Sequence, residues 1–248
     1  MRPRLGPTLG VLIASLACAP SPATSVEPTA AGAGVEASAS PERRSVRPGV
    51  NDRYFEDGAV ERWTDTLERE RREVIALRDP IVAALELEPG MVVADIGAGT
   101  GAFMSALSAG VGETGTVYAV DIVPAFLDHL RARAETEGLT KVEVVEATPT
   151  AVGLADASVD LMFMCDVYHH IEYPSVYVRS LYEALRPEGR LIIVEFDRIP
   201  GETSAKMMKH VRQDQATLVA EVTAEGFVLE REIEDVPFDE NYMLVFRK

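Results

Sequence analysis

A carboxylate and three closely spaced glycines follow an apolar run. Asp95 closes the run, and Gly97, Gly99 and Gly101 come after it at alternate positions, with Ala98 between the first two. Small and apolar residues then return at helical spacing, which predicts a strand, a tight turn and the start of a helix. Because residues without a Cβ let the backbone approach a ligand closely, the turn is a candidate ligand-binding loop. The glycine spacing alone also fits the loop that binds nicotinamide and flavin dinucleotides.

Asp95 favours a cationic ligand over a dinucleotide. A helix N-terminus after a glycine turn attracts a pyrophosphate, and a carboxylate at the edge of that turn would repel it. S-adenosylmethionine carries an ammonium and a sulfonium and no phosphate, so an acidic residue there attracts it. Twenty positions after Gly101, a second apolar run ends at Asp121 and Ile122. A carboxylate at that point can accept hydrogen bonds from both ribose hydroxyls of an adenosine ligand.

Four landmarks give the chain a resemblance to the class I S-adenosylmethionine-dependent methyltransferases. In order they are VVADIGAGTGAF (92–103), VYAVDI (117–122), LADASVDLMFMCDVYHHI (154–171) and LRPEGRLIIVEF (185–196). The resemblance covers about residues 75 to 248 and is closest to members that methylate small molecules and lipids. It implies S-adenosylmethionine as the cofactor. It also implies that Asp95 and the Gly97–Gly101 backbone hold the amino-acid end of the cofactor, while Asp121 and Ile122 lie at the ribose.

The adenine contact departs from the pattern of the resembling proteins. In them an Asp commonly follows the third strand and accepts a hydrogen bond from the adenine amino group. The third strand is predicted at residues 141–146, and the aligned position here is Thr148. A Thr hydroxyl can accept the same bond, so Thr148 is a candidate cofactor contact. The alternative is that Thr148 and Pro149 only turn the chain.

A second polar group of residues follows the fourth predicted strand, 159–165. Ligands of a doubly wound sheet lie outside the carboxyl ends of its strands, so this loop is expected beside the reactive methyl group. We interpret Asp166, Tyr168 and His169 as the candidate catalytic residues, with His169 as the candidate general base. Many methyltransferases carry a similar histidine pair without using it for proton transfer, so a non-catalytic role for His169 and His170 stays open.

A metal site is not expected from the sequence. Asp166 with Glu195 or Asp197 could in principle hold Mg²⁺, as in the catechol-type O-methyltransferases. The metal pattern of those enzymes is not cleanly present, so no residue is assigned as a metal ligand.

The landmarks predict an α/β fold. It is a doubly wound, Rossmann-like seven-stranded sheet, mostly parallel with an antiparallel C-terminal strand, and with helices on both faces. Residues 51–248 are the predicted methyltransferase domain. Within it, near-helical spacing of apolar residues over 51–87 predicts one or two helices. In the proteins that the chain resembles, this segment often forms a lid on the donor pocket, so the resemblance makes Tyr54, Phe55 and Trp63 candidate ligand contacts.

Composition and charge limit the kinds of molecule that the protein is expected to bind. The 248 residues are 47% hydrophobic, enough for one substantial core, and the formal net charge is −16 at pH 7. A field of that sign disfavours nucleic acid or an anionic lipid surface as the main partner. The resemblance itself implies methyl transfer by in-line displacement to a small-molecule or lipid-like acceptor. The alternatives are a non-catalytic S-adenosylmethionine-binding module and, with less support, a nicotinamide-dependent oxidoreductase.

Residues 1–18 resemble an export signal. Arg2 and Arg4 precede a short apolar run, and Cys18 follows small residues. The run is too short to span a bilayer as a lasting helix. Cys18 sits in a partial lipoprotein pattern and is a candidate lipid anchor, with residues 19–50 as a disordered linker rich in Ala, Pro, Ser, Gly and Thr. The expected location is the cell envelope, and the alternative is the cytoplasm.

Overall fold

The structure, a computed structural model, describes residues 44–70 and 72–248. The predicted export signal, Cys18 and residues 19–43 of the predicted linker lie outside that part of the chain. The helices and strands are, in order, α1 Ala59–Leu67, α2 Glu73–Ala76, α3 Arg78–Ala84, β1 Val92–Ile96, α4 Met104–Val111, β2 Thr116–Asp121, α5 Pro124–Thr136, β3 Val142–Glu146, β4 Val159–Cys165, α6 Pro174–Ala184, β5 Leu185–Phe196, α7 Ala205–His210, α8 Gln215–Ala224, β6 Val228–Glu232 and β7 Asn241–Arg247. Single 3₁₀ turns lie at Asp52–Tyr54 and Tyr168–His170.

The strands form one seven-stranded sheet in the order β3-β2-β1-β4-β5-β7-β6. Strands β1 to β5 pair in parallel, and β7 is antiparallel to both β5 and β6. This confirms the predicted fold class. The chain builds outward from β1 in one direction and from β4 in the other, so the loops after these two central strands diverge. A crevice opens between them, where doubly wound sheets bind ligands.

The apolar sequence of β4 explains its central place. Its residues from Leu161 to Met164 are all fully buried. Met162 and Met164 pack into the core on one face, while Leu161 and Phe163 pack into the core on the other. Helices cover both faces of a parallel sheet, so such a strand needs no polar side. The two cores hold the carboxyl ends of β1 and β4 rigidly side by side.

Residues 45–47, at the end of the predicted linker, contact the predicted domain. The amide of Val46 donates to the carbonyl of Glu172 at 2.8 Å, and the Ser45 hydroxyl donates to the Glu172 carboxylate at 2.7 Å. The Arg47 guanidinium donates to the carbonyl of Lys209 at 3.1 Å. These contacts are polar and join residues far apart in the sequence, so no apolar pattern predicts them.

Residues 51–87 form three short helices after the first 3₁₀ turn, rather than the one or two that the spacing predicts. We call residues 44–70 and 72–87 the N-terminal segment. The short helix α7 lies in the region before α8, and the Ser204 side chain at its start accepts a hydrogen bond from the Met207 amide at 3.3 Å. Within the described residues, none of the helices has both the length and the apolar character needed to cross a membrane.

Candidate functional site

The glycine turn after β1 requires glycine for two reasons. Gly97, Gly99 and Gly101 have φ values of 70°, 56° and 84°, in the left-handed region that favours residues without a side chain. A Cβ on Gly97 would also lie 2.6 Å from Cγ1 of Val167. The amides of Gly97 and Ala98 donate to the Val120 carbonyl at 2.8 and 2.9 Å. The turn is therefore pinned to β2 and presses close to the loop after β4.

A cavity lies above the turn, at the carboxyl ends of β1, β2 and β4. The predicted site residues that line it are Asp95, Gly97, Ala98, Gly99, Asp121, Ile122, Thr148 and Asp166. The N-terminal segment covers it with Asn51, Tyr54, Leu67, Arg72, Val74 and Ile75. The predicted residues that do not line it are Gly101, Tyr168 and His169. Most of the predicted cofactor contacts are thus brought together, and two of the three predicted catalytic residues are not.

Asp95 is a buried carboxylate without a protein partner. Its residue is 3% exposed, and it lines the cavity. No hydrogen-bond donor or cation among residues 44–70 and 72–248 contacts its carboxylate. Burial, with a smaller contribution from the negative charge of Asp121, raises the pKa of Asp95 to about 7. A buried charge is costly unless something pairs with it, so this carboxylate suits a ligand that brings a positive charge.

Asp121 is held in one orientation at the edge of the cavity. Its Oδ2 accepts from the Gly99 amide at 2.9 Å, and its Oδ1 accepts from the Val123 amide at 2.9 Å. Burial raises the pKa of Asp121, and the bonds from these amides oppose the rise. Each carboxylate oxygen can accept more than one bond, so both can still receive a ligand hydroxyl.

Asp166 differs from Asp95 because the protein satisfies its charge. It has a positive φ of 54°. Its Oδ2 lies 2.5 Å from Nη2 of Arg72, and its Oδ1 accepts from the Asn241 side-chain amide at 2.7 Å. Burial raises the pKa of Asp166 to about 6, although the Arg72 charge opposes the rise. Asp166 therefore ties the N-terminal segment and β7 to the end of β4.

Tyr168 and His169 point away from the cavity. The Tyr168 hydroxyl donates to Glu221 of α8 at 2.8 Å, and burial, together with the Glu221 charge, raises the pKa of Tyr168. His169 is 1% exposed and faces Glu195 and His210. Successive side chains of a 3₁₀ turn diverge by about 120°. The catalytic roles predicted for Tyr168 and His169 therefore lack the contact with a ligand that proton transfer requires.

His170 is the histidine of the pair that lines the cavity. Its Nε2 lies 3.4 Å from the Tyr54 hydroxyl, and its ring packs edge-on against the Tyr54 ring with 5.3 Å between centroids. Burial, and then the neighbouring His169, lowers the pKa of His170. It is therefore neutral at physiological pH.

Several residues that line the cavity were not predicted from the sequence. Arg72 lies in a run of charges that is typical of a solvated helix face, and nothing in that run distinguishes it. Asn51 has no neighbouring motif. Of the three aromatic residues proposed as ligand contacts, Tyr54 lines the cavity, Trp63 stacks behind it at 4.7 Å between ring centroids, and Phe55 is 53% exposed. Thr148 lines the rim, and its hydroxyl also accepts from the Thr150 amide at 3.3 Å, so it both turns the chain and faces the cavity.

Comparison with known proteins agrees with this geometry. Residues 94–193 match the methyltransferase domain family. The ubiquinone/menaquinone biosynthesis C-methyltransferase of Klebsiella pneumoniae is 33% identical over 110 residues, 44% of each chain. The enzyme of the same name from Shewanella pealeana is 29% identical over 120 residues, 48% of each chain. The chain thus matches about half the length of these curated relatives.

The fold is shared with solved structures over a longer stretch. A S-adenosylmethionine-dependent methyltransferase from Aquifex aeolicus superposes with a TM-score of 0.68 over 78% of this chain and 98% of that chain, at 22% sequence identity. At that identity the likeness concerns the fold. Residues 94–193 are therefore similar to the methyltransferase domain family, and the chain has the fold of a solved S-adenosylmethionine-dependent methyltransferase.

Proposed function

We propose that the protein transfers the methyl group of S-adenosylmethionine to a small or lipid-like acceptor that presents a carbon or oxygen nucleophile. The observation that carries the proposal is the Asp95 carboxylate, which is buried, open to the cavity and unpaired within the described part of the chain. The ammonium group of the donor supplies the charge that this carboxylate needs. A dinucleotide would place its pyrophosphate against the same carboxylate, which disfavours the oxidoreductase alternative.

The remaining contacts give the donor one orientation. Asp121, fixed by the Gly99 and Val123 amides, receives the ribose hydroxyls. Ile122 and Thr148 border the adenine side of the cavity. The methyl group then lies toward the loop after β4, between that loop and the N-terminal segment. The acceptor side is lined by Val74, Ile75, Val167 and Ile171 together with the polar groups of Tyr54 and His170. These walls suit a largely apolar acceptor.

The chain's contribution to the reaction is alignment and exclusion of water. S-adenosylmethionine supplies a methyl group already activated by its sulfonium. The protein has to hold the nucleophile in line with the breaking bond, which the rigid ends of β1 and β4 and the overlying N-terminal segment can do. Neutral His170 and the Tyr54 hydroxyl are the groups placed to hold or remove a proton of the acceptor. The names of the curated relatives make a carbon nucleophile the first acceptor type to test.

Calorimetry with S-adenosylmethionine, its demethylated product and NAD⁺ tests the donor site. We expect the first two ligands to bind and NAD⁺ not to bind. The variant Asp95→Asn should weaken donor binding at least about tenfold, because the loss of one charged contact of this kind costs more than about 1.4 kcal/mol. Asp128→Asn, on an exposed aspartate of α5, is the matched control and should leave the affinity unchanged. An unchanged dissociation constant for Asp95→Asn would remove the basis of the proposal.

An activity assay separates catalysis from mere binding of the cofactor. The protein, supplied with methyl-labelled donor and a panel of quinol-like and phenolic acceptors, should transfer label to at least one of them. His170→Ala should lower that transfer while donor affinity stays the same. Tight donor binding without transfer to any acceptor would favour the non-catalytic module instead.

We also propose that the protein is exported to the cell envelope and anchored through Cys18. The support is the sequence of residues 1–18 alone. Fractionation of cells and mass measurement of the mature N-terminus test this directly. A lipid-bearing N-terminus at Cys18 in the membrane fraction is expected, and Cys18→Ser should abolish it. An intact Met1 on protein in the cytoplasmic fraction would show that the proposal is wrong.

A further inference from the structure

Three of the four histidines of the chain converge at one point beside the cavity. His169 and His170 follow β4, and His210 is the last residue of α7. One ring nitrogen from each lies within 4.8 Å of the others, and the Nε2 atoms of His169 and His210 are 3.0 Å apart. We call these three residues the histidine cluster. Its members come from two separate parts of the chain that only the folded sheet brings together.

Neighbouring side chains hold the Nδ1 side of two of the rings. Nδ1 of His169 lies 2.9 and 3.0 Å from the two carboxylate oxygens of Glu195, which is fully buried. Glu195 is itself fixed by the amides of His169 and Phe196, at 3.0 and 2.8 Å. Nδ1 of His169 therefore carries a hydrogen and donates a hydrogen bond to the Glu195 carboxylate. Its Nε2 faces Nε2 of His210, 3.0 Å away.

Asn51 contacts Nδ1 of His170, as Glu195 contacts Nδ1 of His169. The Asn51 Nδ2 donates to the His170 carbonyl at 3.0 Å, which sets the direction of the amide. Its Oδ1 then lies 3.1 Å from Nδ1 of His170 and accepts the ring proton. Nε2 of His170 then has only the long 3.4 Å contact with the Tyr54 hydroxyl. Histidines that bind metals in proteins almost always donate their other ring N–H to a carboxylate or carbonyl oxygen in this way.

Side chains of both charges surround the histidine cluster. The positive charges of Arg47 and Arg53 face the cluster, but the Arg47 guanidinium is bound to the carbonyls of Lys209 and His210. The buried Glu195 carboxylate supplies negative charge at the opposite side.

A hydrogen bond between two histidines accounts for only part of this arrangement. Nε2–H of His210 can donate to Nε2 of His169, which explains their 3.0 Å separation. That bond leaves Nε2 of His170 with only the long 3.4 Å contact to Tyr54. It also does not explain why both His169 and His170 turn their protonated nitrogens outward, onto an acidic and an amide oxygen.

We propose that His169, His170 and His210 bind one divalent transition-metal ion, with zinc as the first candidate, and that Glu195 and Asn51 position the ligands. Imidazole nitrogens suit zinc, and three of them make a site that keeps a fourth position open for water or another small ligand. Bound metal would join the loop after β4 to α7. His170 and Asn51 also line the cavity, so a metal bound to His170 would occupy the ring that the proposed methyl transfer uses for the acceptor's proton. The metal ligands do not include Asp95, the glycine turn or Asp121, so the metal proposal can be tested whether or not the proposed methyl transfer is correct.

Metal titration of the whole protein tests the proposal. The protein is produced without a histidine tag, treated with a chelator and titrated with zinc chloride in a calorimeter. We expect one ion per chain with a micromolar or lower Kd, and a rise in Tm of about 5 °C or more at zinc concentrations near 100 times Kd. Cobalt in place of zinc should give the visible absorption of a low-symmetry nitrogen-ligated site. Failure of the wild-type protein to bind either ion would overturn the proposal.

Variants assign the site to these residues. His210→Gln, at the partly exposed end of α7, should weaken zinc binding at least about 100-fold, and Glu195→Gln should weaken it about 10- to 100-fold. His129→Gln on α5 is the matched control, since His129 is the one histidine outside the cluster, and it should bind zinc like the wild type. Unchanged S-adenosylmethionine affinity shows that each variant is folded. Equal zinc affinity in His210→Gln and wild type, or loss of binding in Cys18→Ser, would place the metal elsewhere and refute the assignment.

Discussion

Asp95 and Asp166 lie at the ends of neighbouring strands and are both buried, yet they serve opposite purposes. Asp166 has a cation and an amide donor from the protein itself, Arg72 and Asn241. Asp95 has neither within the described residues and instead faces the cavity. A carboxylate that the protein already satisfies holds structure together. A buried carboxylate without a partner destabilises the ligand-free protein, and a cationic ligand removes that penalty when it binds.

The first prediction concerns the stability of the ligand-free protein. Because the pKa of Asp95 is raised from 3.8 to about 7 on folding, the folded state disfavours its ionised form, and stability is lost as the pH rises through about 7. Asp95→Asn removes this cost. At pH 8 we expect it to raise the free energy of unfolding by about 2–4 kcal/mol while it weakens donor binding. Urea unfolding of the ligand-free proteins measures it, with Asp128→Asn as control. A less stable Asp95→Asn would contradict the interpretation.

The second prediction is a pH dependence of donor binding. The donor's ammonium group pairs with ionised Asp95 only, so affinity should fall as the pH drops through about 7. Between pH 7.5 and pH 6 the ionised fraction of a group with that pKa falls about eightfold, and Kd should rise by a similar factor. Calorimetric titrations across this range provide the measurement. In Asp95→Asn the profile should be flat, and a profile equal to that of the wild type would assign the dependence to another group.

At the scale of elements, the N-terminal segment is held over the cavity by ion pairs that reach separate parts of the domain. Arg72, at the start of α2, pairs with Asp166 after β4 at 2.5 Å. Glu68, after α1, pairs with Arg133 of α5 at 2.6 Å, and Arg133 also donates to the carbonyl of Thr100 in the glycine turn. These pairs are partly buried, so they are screened less than surface pairs. They fix the roof of the cavity relative to its floor.

The third prediction concerns the Arg72–Asp166 pair. Arg72→Ala leaves the Asp166 charge buried without its cation, and we expect a loss of about 3 kcal/mol in stability. Replacing both groups, as Arg72→Ala with Asp166→Asn, should recover part of that loss, because no charge then remains unpaired. Urea unfolding of the two single variants and the double variant gives the coupling. Additive losses in the double variant would mean that the two side chains do not interact.

Elements defined by local sequence signals could be predicted, and elements defined by contacts between distant residues could not. The ends of β1, β2 and β4 were predictable to within one residue, since buried apolar runs and the turns after them are local signals. β5 begins at Leu185, ahead of Pro187 and Gly189, which are typical turn residues, because pairing with β4 continues across an irregularity in register between Val159 and Leu161. Such pairing depends on the partner strand and leaves no mark on the sequence.

At the scale of the whole molecule, the cavity is assembled from distant parts of the chain. Its lining runs from Asn51 in the N-terminal segment to Tyr177 in α6, and Asn241 of β7 holds Asp166 in place. The floor, formed by Asp95, the glycine turn and Asp121, could be predicted because each part follows a strand end. The roof and the true direction of the Tyr168–His170 turn could not, since they depend on contacts between segments. Because of those contacts, His169 lies in the histidine cluster and does not line the cavity.

The fourth prediction follows from this assembly, since a donor that touches both floor and roof should stabilise the whole domain. At a donor concentration of 100 times Kd, binding adds about 2.7 kcal/mol to the free energy of unfolding, or about 5–10 °C in Tm for a domain of this size. Thermal unfolding with and without S-adenosylmethionine measures the shift. NAD⁺ should give none, because its pyrophosphate would meet Asp95. At the same donor concentration Asp95→Asn should lose about half of the shift or more despite its higher starting Tm, because tenfold weaker binding lowers the stabilisation to about 1.4 kcal/mol. A full shift in that variant would show that the donor is held by other groups.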